Sequence, residues 1–366
     1  HRPARPARDG DQHGARAAMT HGFIVIDKPS GVTSFSMVSL VRRLTGVKRV
    51  GHAGTLDPLA SGVLPVALGE AAKLSGHMLG AAKAYEFTIA FGAETDTLDQ
   101  EGEVVATSAC RPTLAEIEAL LPRFTGTIEQ VPPAYSALKL DGKPAYARAR
   151  AGEAVEMKSR AVTIHSLSIA PAAGPLQIAP RHATSVRPER VEGIFFSEQE
   201  RRAVRQAHRE RGFSDVPQAA EAAAGAGDAE AALSSVTLLA HVSKGTYIRS
   251  LARDIAHALG TVGQVTFLRR LQAGPFTLEA AISLDKLAEL AHGRVLEQAL
   301  LPLTAGLDDI PALAVTPDQA RLLRQGQRLA GIAAKPGLHL ATDCSVPVAL
   351  VELSEGELRV VRGFNL

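Results

Sequence analysis

The hydrophobic and polar positions of this chain alternate or recur in patterns that predict short strands interspersed with helices. Residues 83–91 (KAYEFTIAF) alternate as a half-buried strand does, with Tyr85, Phe87, Ile89 and Phe91 on one face. Strand patterns also cover residues 22–26, 63–68, 160–169 and 235–242. Helical periodicity covers residues 34–44, 113–124 and 248–259.

Capping residues predict where these helices begin and end. Ser34 is expected to cap the first helix, and Gly46 to end it. Thr113 and Glu116 have the spacing of a capping box at the start of the second helix. Gly260 is expected to end the third helix.

Two terminal segments differ from this pattern. Residues 1–18 are rich in Arg, Pro and Ala, lack periodicity and precede Met19. We interpret them as a disordered tail or a mis-start, with an Arg-rich transit peptide as the alternative. Residues 306–366 contain three short alternating runs, which predict a small β-rich module.

A third atypical segment, residues 171–234, interrupts the middle of the chain. It contains four early prolines, a run of charged residues and an Ala-rich tract, without an apolar stripe wide enough to pack on a core. The strands on either side would pair as a hairpin if it were removed. We therefore predict an insertion at a hairpin tip that is mobile and dispensable for chemistry, since loop closure entropy grows slowly with length.

Composition narrows the class of protein. The 366 residues are 46% hydrophobic and 21% charged, which excludes a wholly disordered, collagenous or disulfide-scaffold chain and suits two or three domains. Cys110 and Cys344 lie far apart without zinc-site spacing, which favours a reducing cytoplasm. No apolar run approaches the roughly 20 residues of a membrane helix. The net charge of +2 gives no sign of a polyanion partner.

Residues 51–69 (GHAGTLDPLASGVLPVALG) place one His and one Asp among glycines and prolines. Pro58 directs Asp57 into an extended conformation, and the glycines permit close backbone approach. Such a stretch can hold the Asp57 carboxylate rigidly on a loop at the edge of a sheet. Taken alone, it also fits an ordinary Asp-Pro turn, with His52 as a hydrogen-bonded loop histidine.

A second stretch, residues 242–255 (VSKGTYIRSLARDI), reads as a strand end, a Gly turn and an amphipathic helix. Arg249 lies in the first turn of that helix, where the helix dipole already places partial positive charge. This position predicts a carboxylate or phosphate partner for Arg249. A solvated Arg249 is the alternative.

Several motifs, in order along the chain, resemble those of the bacterial tRNA pseudouridine-55 synthases of the TruB type. They are DKPSGVTS, GHAGTLDPLASGVLPVALGEAAK, KAYEF, HVSKGTYIRSLARDI and VTFLRRL, and the resemblance covers residues 20–170 and 235–305. It implies an α/β (α+β) fold with a mixed, largely antiparallel sheet. It further implies a catalytic domain over residues 19–305, a thumb at residues 128–155, and a PUA-like C-terminal domain at residues 306–366.

The resemblance also implies an activity. Such enzymes isomerise uridine 55 in the T loop of tRNA: they flip the base out, break its N1–C1′ bond and rejoin it through C5. The chain would act as a cytoplasmic monomer on the T-stem-loop of tRNA. It would need no metal or other cofactor, in agreement with the absence of GxxxxGK and GxGxxG motifs.

The family's site residues carry over to matching positions of this sequence. Asp57 matches the catalytic aspartate, Arg249 the arginine that pairs with it and keeps it ionised, and Tyr85 the tyrosine that stacks on the uracil. His52 matches the histidine that fills the space of the flipped nucleotides. The remaining implied substrate-binding residues are Lys28 and Pro29 in a turn beside the active site, Tyr247 and Leu268 in the apolar pocket around the base, and Lys139, Lys143 and Tyr146 on the thumb.

Two other functions compete with this hypothesis. One is a tRNA-folding or RNA-binding protein whose catalysis is incidental; the other is an RNA-guided synthase within a protein complex. The intact set of Asp57, Arg249 and Tyr85 favours an enzyme, although Tyr85 alone also fits a core position. The thumb-like segment favours a stand-alone enzyme. With so little net charge, recognition is expected to rely on shape, stacking and a few placed bases, and affinity to depend on salt only moderately.

Overall fold

The computed structural model describes residues 21–136, 138–140, 142–153, 155–171 and 231–366. The predicted N-terminal tail and most of the predicted insertion lie outside these described residues.

The described strands follow the chain from its N-terminal to its C-terminal end. They are β1 (Gly22–Lys28), β2 (Val50–His52), β3 (Ser61–Leu68), β4 (Lys83–Phe91), β5 (Ala93–Thr95), β6 (Val104–Thr107), β7 (Gly126–Gln130), β8 (Lys139–Leu140), β9 (Lys143–Pro144), β10 (Arg160–Ile169), β11 (Ser235–Val242), β12 (Gly263–Ala273), β13 (Phe276–Thr277), β14 (Ala312–Ala314), β15 (Leu329–Ala330), β16 (Gly337–Asp343), β17 (Val346–Ser354) and β18 (Glu357–Gly363).

The described helices are short to medium in length. They are α1 (Ser34–Thr45), α2 (Ser75–Gly80), α3 (Leu114–Leu120), α4 (Ala145–Arg150), α5 (Ile248–Ala258), α6 (Leu284–His292) and α7 (Pro317–Arg324). Among the residues described, no helix has the length and apolar character needed to cross a membrane.

A nine-stranded sheet forms the centre of the described structure. Its main path runs β1-β3-β12-β4-β11-β10-β7, with β2 paired to β3 and β13 to β12. Only the β3–β12 pair is parallel, and every other pair in this sheet is antiparallel. The predicted mixed, largely antiparallel α/β fold is therefore confirmed.

The two faces of this sheet bury separate apolar clusters, because successive side chains of a strand point to opposite faces. Ile24 and Ile26 of β1 pack into the cluster that includes α1 and α5. Phe23 and Val25 pack into the second cluster, with residues of the C-terminal strands.

The first helix is capped by a different residue from the one predicted. Thr33, not Ser34, is the N-cap, and its Oγ1 accepts a hydrogen bond from the backbone N–H of Ser36 at 3.1 Å. Ser34 is instead buried, and its hydroxyl donates to the carbonyl of Leu56 and accepts from its N–H. The predicted end is confirmed, since Gly46 adopts the left-handed conformation there.

The predicted capping box of Thr113 and Glu116 is confirmed at the start of α3. The helix does not run through residue 124 as predicted. It ends at Leu120 and tightens into a 3₁₀ turn, Leu121–Phe124, which carries Pro122 in its first turn. Proline has no N–H for the i→i−4 ladder and so favours this break.

The strands that flank the predicted insertion pair as expected. β10 and β11 are antiparallel, with Ile169 opposite Leu238. Residues 232–234 also contact the body of the protein: Ala232 bridges to Thr113, and the Leu233 N–H donates to the Pro112 carbonyl at 2.8 Å. The body of the protein therefore resumes at residue 232, slightly before the predicted boundary.

The C-terminal strands form a separate five-stranded sheet in the order β14-β16-β17-β18-β15. This C-terminal module (residues 312–363) has its own apolar core, which also includes α7. It docks on the larger sheet through the second apolar cluster, where Phe364 is buried near Phe23. Glu70 fixes the contact, because its Oε2 accepts a hydrogen bond from the Asn365 N–H at 2.8 Å.

Gly62 is expected to be essential for the contact between β3 and β12. Its φ is +101°, and a Cβ there would lie 2.2 Å from the Arg270 carbonyl oxygen. We expect Gly62→Ala to lower the free energy of unfolding by about 3 kcal/mol or more, from backbone strain and overpacking together. Urea denaturation followed by circular dichroism measures this. Gly46→Ala is the control, since its φ is +71° with open space around it; equal losses for the two variants would contradict the steric argument.

Candidate active site

Asp57 and Arg249 form an ion pair at the end of the central sheet. Arg249 Nη2 lies 3.0 Å from Asp57 Oδ2, with the arginine side chain 6% exposed and the aspartate side chain 38% exposed. The carboxylate partner predicted for Arg249 is therefore present, and a solvated Arg249 is excluded. The pair presents a half-exposed carboxylate that is backed by a buried cation.

Arg249 holds a second carboxylate as well. Its Nη1 lies 3.3 Å from Oδ2 of the buried Asp99 and donates to the Thr97 carbonyl at 2.6 Å. Asp99 Oδ1 in turn accepts hydrogen bonds from Thr97 Oγ1 at 2.6 Å and from the Glu101 N–H at 3.0 Å. Sequence reasoning missed Asp99, which lies in the polar loop between β5 and β6, where nothing local distinguishes it from a turn residue.

The segment that carries Asp57 is held by its backbone. Every carbonyl of residues 54–59, here called the Asp57 loop, accepts a hydrogen bond. The donors are Arg270 to Gly54 and Thr55, Ser34 to Leu56, Ala60 to Asp57, Lys28 and Gly31 to Pro58, and Ser30 to Leu59. These hydrogen bonds fix the backbone of the Asp57 loop, while the Asp57 carboxylate remains partly exposed to solvent.

Lys28 and Pro29 lie beneath this loop. Lys28 is fully buried, and its Nζ donates to the carbonyls of Pro29 at 2.9 Å, Val32 at 2.7 Å and Pro58 at 3.3 Å. In this position Lys28 ties the turn after β1 to the Asp57 loop.

Tyr85 and Leu268 lie on neighbouring central strands. Tyr85 on β4 is half-buried and packs against the first apolar cluster, and Leu268 on β12 is buried in the same cluster. Tyr85 is opposite Arg270 on β12 and Ala240 on β11. Both residues therefore contribute to the first apolar cluster, and Tyr85 lies opposite the arginine that donates to the Gly54 and Thr55 carbonyls.

His52 ends β2 and carries an unpartnered ring nitrogen. Its Nδ1 is buried and accepts no hydrogen bond from the described residues. Burial, and then the nearby charge of Arg270, lower the pKa of His52 below its usual value of 6.5. A neutral imidazole at the rim of the Asp57 loop is therefore expected at pH 7.

We expect the His52 imidazole to titrate with a midpoint below 6.5 when followed by NMR. Since the unfolded chain then binds this proton more tightly than the folded one, the contribution to stability is complete above pH 6.5 and is lost as the pH falls toward the lower folded-state value. Urea unfolding of the parent and of His52→Gln across this range measures the difference. A His52 contribution that grows as the pH falls would contradict the assignment.

Tyr247 precedes α5 and is held by a residue that sequence reasoning missed. The Tyr247 N–H donates to Gln130 Oε1 at 2.8 Å, and Gln130 Nε2 donates to the Tyr247 carbonyl at 3.2 Å. Gln130 is fully buried at the end of β7. The Arg160 guanidinium lies 4.9 Å from the centre of the Tyr247 ring, a cation–π contact.

The predicted thumb residues lie on short elements between β7 and β10. Lys139 lies on β8, Lys143 is exposed on β9, and Tyr146 is exposed on α4 with the Arg150 guanidinium 5.9 Å from its ring centre. None of the contacts described for these residues reaches Asp57. Tyr135, here called the thumb root, does contact the site, because its carbonyl accepts a hydrogen bond from Arg249 Nη2 at 3.0 Å.

The structure therefore connects several of the predicted residues to Asp57 or to its loop. Arg249 pairs with Asp57, Lys28 donates to the Pro58 carbonyl, and Tyr85 lies opposite Arg270, which donates to the Gly54 and Thr55 carbonyls. Within the described ranges, no group of three or more His, Cys, Asp or Glu side chains is placed to hold a metal ion.

Comparison with known proteins places this chain in a family. The model of the TruB family pseudouridylate synthase N-terminal domain matches residues 42–185, and that of the tRNA pseudouridylate synthase B C-terminal domain matches residues 249–308. The relative from Novosphingobium aromaticivorans named tRNA pseudouridine synthase B is 50% identical over 95% of this chain and 98% of its own. The relative of the same name from Zymomonas mobilis is 49% identical over 94% and 96%.

Solved structures share the fold at lower identity. A chain from an H/ACA RNP bound to a substrate RNA containing 2′-deoxyuridine superposes with a TM-score of 0.60 at 20% identity, covering 94% of this chain and 85% of that chain. A chain from a Cbf5–Nop10–Gar1 complex gives a TM-score of 0.61 at 21% identity, covering 94% and 84%. By its motifs, its family models and its near full-length relatives, the chain belongs to the TruB family of tRNA pseudouridine synthases, isomerases that form pseudouridine from uridine in tRNA.

Proposed function

We propose that this enzyme isomerises uridine 55 in the T loop of tRNA, and that Asp57 is the residue on which cleavage and re-formation of the glycosidic bond depend. The observation that carries the proposal is the half-exposed Asp57 carboxylate, held 3.0 Å from the buried Arg249 guanidinium. Tyr85 and Leu268 on the adjacent strands supply a surface of the kind that an extruded base stacks on.

The reaction is balanced without a co-reactant. The N1–C1′ bond of the uridine breaks, the base rotates, and a C5–C1′ bond forms; C5 then loses its proton and N1 gains one. Asp57 must be ionised to act on the ribose or on the uracil ring, and Arg249 favours that ionised form by charge and hydrogen bonding. Stacking on Tyr85 would contribute roughly 1–3 kcal/mol to holding the flipped base.

The T-stem-loop is the proposed binding partner of a cytoplasmic monomer. His52, with a free Nδ1, would fill the space left by extruded nucleotides and hydrogen-bond there. The thumb would contact the RNA through Lys139, Lys143 and Tyr146. Lysine side chains suit the phosphates of the RNA backbone, and an aromatic side chain can stack on its nucleobases. We further propose that residues 19–305 form the catalytic domain and residues 306–366 a PUA-like domain.

A guided enzyme and a binding protein are the alternatives to this proposal. The solved neighbours from an H/ACA RNP and from a Cbf5–Nop10–Gar1 complex share the fold at 20–21% identity, whereas the relatives at 49–50% identity are named tRNA pseudouridine synthase B. The thumb, which would grip RNA without a guide, supports a stand-alone enzyme. The Asp57–Arg249 pair supports catalysis over binding alone.

Mapping of the product on tRNA tests the proposal. The chain beginning at Met19 is incubated with unmodified tRNA transcripts, and pseudouridine is located by carbodiimide modification and primer extension. We expect product at position 55 alone, in full tRNA and in an isolated T-stem-loop, and none in a transcript with cytidine at that position. Product at another position, or only when a guide RNA is added, would refute the proposal.

Removal of residues 172–230 is expected to leave this activity within about threefold of the parent, because β10 and β11 already pair around that segment. A short Gly-Ser linker replaces the deleted residues so that residues 232–234 keep their contacts with the body. Initial rates on the same transcript measure the effect. A large loss of rate in a variant that still folds would show that the segment is required.

A further inference from the structure

We propose that Arg270 is a positioning residue for the reaction, because its guanidinium fixes the Asp57 loop against β12, the strand that pairs with the one carrying Tyr85. The proposal rests on the roles proposed above for Asp57 and Tyr85. It assigns a function to a side chain whose described hydrogen bonds go to the carbonyls of Gly54, Thr55 and Val63.

The guanidinium of Arg270 donates hydrogen bonds to backbone carbonyls at the start of the Asp57 loop and on β3, the strand that follows the loop. Arg270 is 1% exposed, and Nη2 donates to the Gly54 carbonyl at 3.1 Å, Nη1 to the Thr55 carbonyl at 3.3 Å and Nε to the Val63 carbonyl at 2.8 Å. Gly54 and Thr55 precede Asp57, whereas Val63 lies on β3 beyond it. One rigid side chain therefore sets the path of the backbone on both sides of Asp57.

The charge of this arginine is otherwise uncompensated. Among the described residues, Arg270 forms no ion pair, so a buried guanidinium is balanced by carbonyl dipoles alone. Burying an unpaired charge is unfavourable, and apolar side chains of similar volume often serve stability as well or better. An arginine at this position is thus better explained by its fork of five fixed donors than by a contribution to folding.

The strand register connects Arg270 to the other proposed residues. Arg270 is opposite Tyr85 on β4 and opposite Gly62 at the start of β3. Because Gly62 has no side chain, the two backbones approach closely, as the 2.2 Å between a notional Cβ and the Arg270 carbonyl oxygen indicates. Arg270 is thus the point at which the Tyr85 strand, the β3 strand and the Asp57 loop meet.

The charge of Arg270 also reaches neighbouring groups. After burial, it is the next cause that lowers the pKa of His52, and it helps to lower that of Lys83 to about 8. A variant that keeps the charge but loses the fork can therefore separate positioning from electrostatics. Lysine at position 270 does this, because a single ammonium cannot span three carbonyls.

The test compares Arg270→Lys with the adjacent Arg269→Lys. Arg269 lies on the same strand and pairs with Asp27 at 2.8 Å. We expect Arg270→Lys to lower the single-turnover rate by about 100-fold, as misplacement of reacting groups does, with the Kd for tRNA within twofold of the parent. Arg269→Lys should keep both values within about threefold.

A second variant perturbs the same contact from the loop. Gly54 has a φ of +114°, and a Cβ there would lie at an ordinary 3.6 Å from Arg270 Nη1. Gly54→Ala therefore strains the loop backbone and shifts its carbonyl while leaving Arg270 in place. We expect the same separation of rate from binding, so that this variant tests the proposal if Arg270→Lys does not fold.

Three outcomes overturn the proposal. They are a parental rate in folded Arg270→Lys, a loss of tRNA affinity in proportion to the rate, and a parental rate in Gly54→Ala. Asp57→Asn is measured in parallel. If that variant retains turnover, the proposed function fails; if it is inactive while Arg270→Lys is fully active, only the present inference fails.

Discussion

Asp57→Asn is expected to abolish pseudouridine formation, with a loss of about 10⁴-fold or more, while tRNA binding stays near that of the parent. The carboxamide has nearly the shape of the carboxylate but is neither a base nor a nucleophile. Arg249 keeps its contacts with Asp99, Thr97 and the thumb root, so the site retains its framework. Single-turnover assays on T-stem-loop RNA and filter binding measure the two effects.

Asp254→Asn serves as the matched control for this substitution. Asp254 lies on α5 with Arg249, and its carboxylate pairs with Arg253 at 2.8 Å. The same chemical change there should leave the rate within a few-fold. Substantial turnover in Asp57→Asn would show that another residue performs the chemistry, and equal losses in both variants would show that the effect is not specific to position 57.

Arg249→Lys is expected to lower the rate by roughly 100-fold with little change in tRNA affinity. The guanidinium bridges Asp57 at 3.0 Å and Asp99 at 3.3 Å and also donates to the Thr97 and Tyr135 carbonyls. A lysine keeps the charge but reaches fewer of these partners, so the Asp57 carboxylate loses its fixed orientation. Single-turnover rates and thermal unfolding are measured side by side.

Arg253→Lys is the corresponding control one turn further along α5. Arg253 is partly exposed and contacts Asp254 and the Val131 carbonyl, away from Asp57. We expect parental rates for it. A fully active Arg249→Lys would show that a point charge is sufficient, and that the bridge to Asp99 has no part in the rate.

The sequence by itself determined the features that depend on local physics. The predicted strands at residues 83–91, 160–169 and 235–242 coincide with β4, β10 and β11, because period-two alternation directly reflects one buried face. The Thr113–Glu116 capping box formed for the same local reason. The loop around Asp57 could also be predicted, since Pro58 restricts the backbone of Asp57 and the glycines permit unusual φ values wherever the loop lies in the fold.

The tertiary structure alone decided which buried polar groups meet. Serine is a common N-cap residue, but the hydroxyl of Ser34 hydrogen-bonds to the backbone of Leu56 in the Asp57 loop. Thr33 caps the helix instead. Asp99 and Arg270 gave no local signal of these roles, because the ion-pair partner of Asp99 and the carbonyls that Arg270 binds lie far away in the chain. A buried donor or acceptor must be satisfied by whatever packing brings near it, and that choice is made by the fold rather than by neighbouring residues.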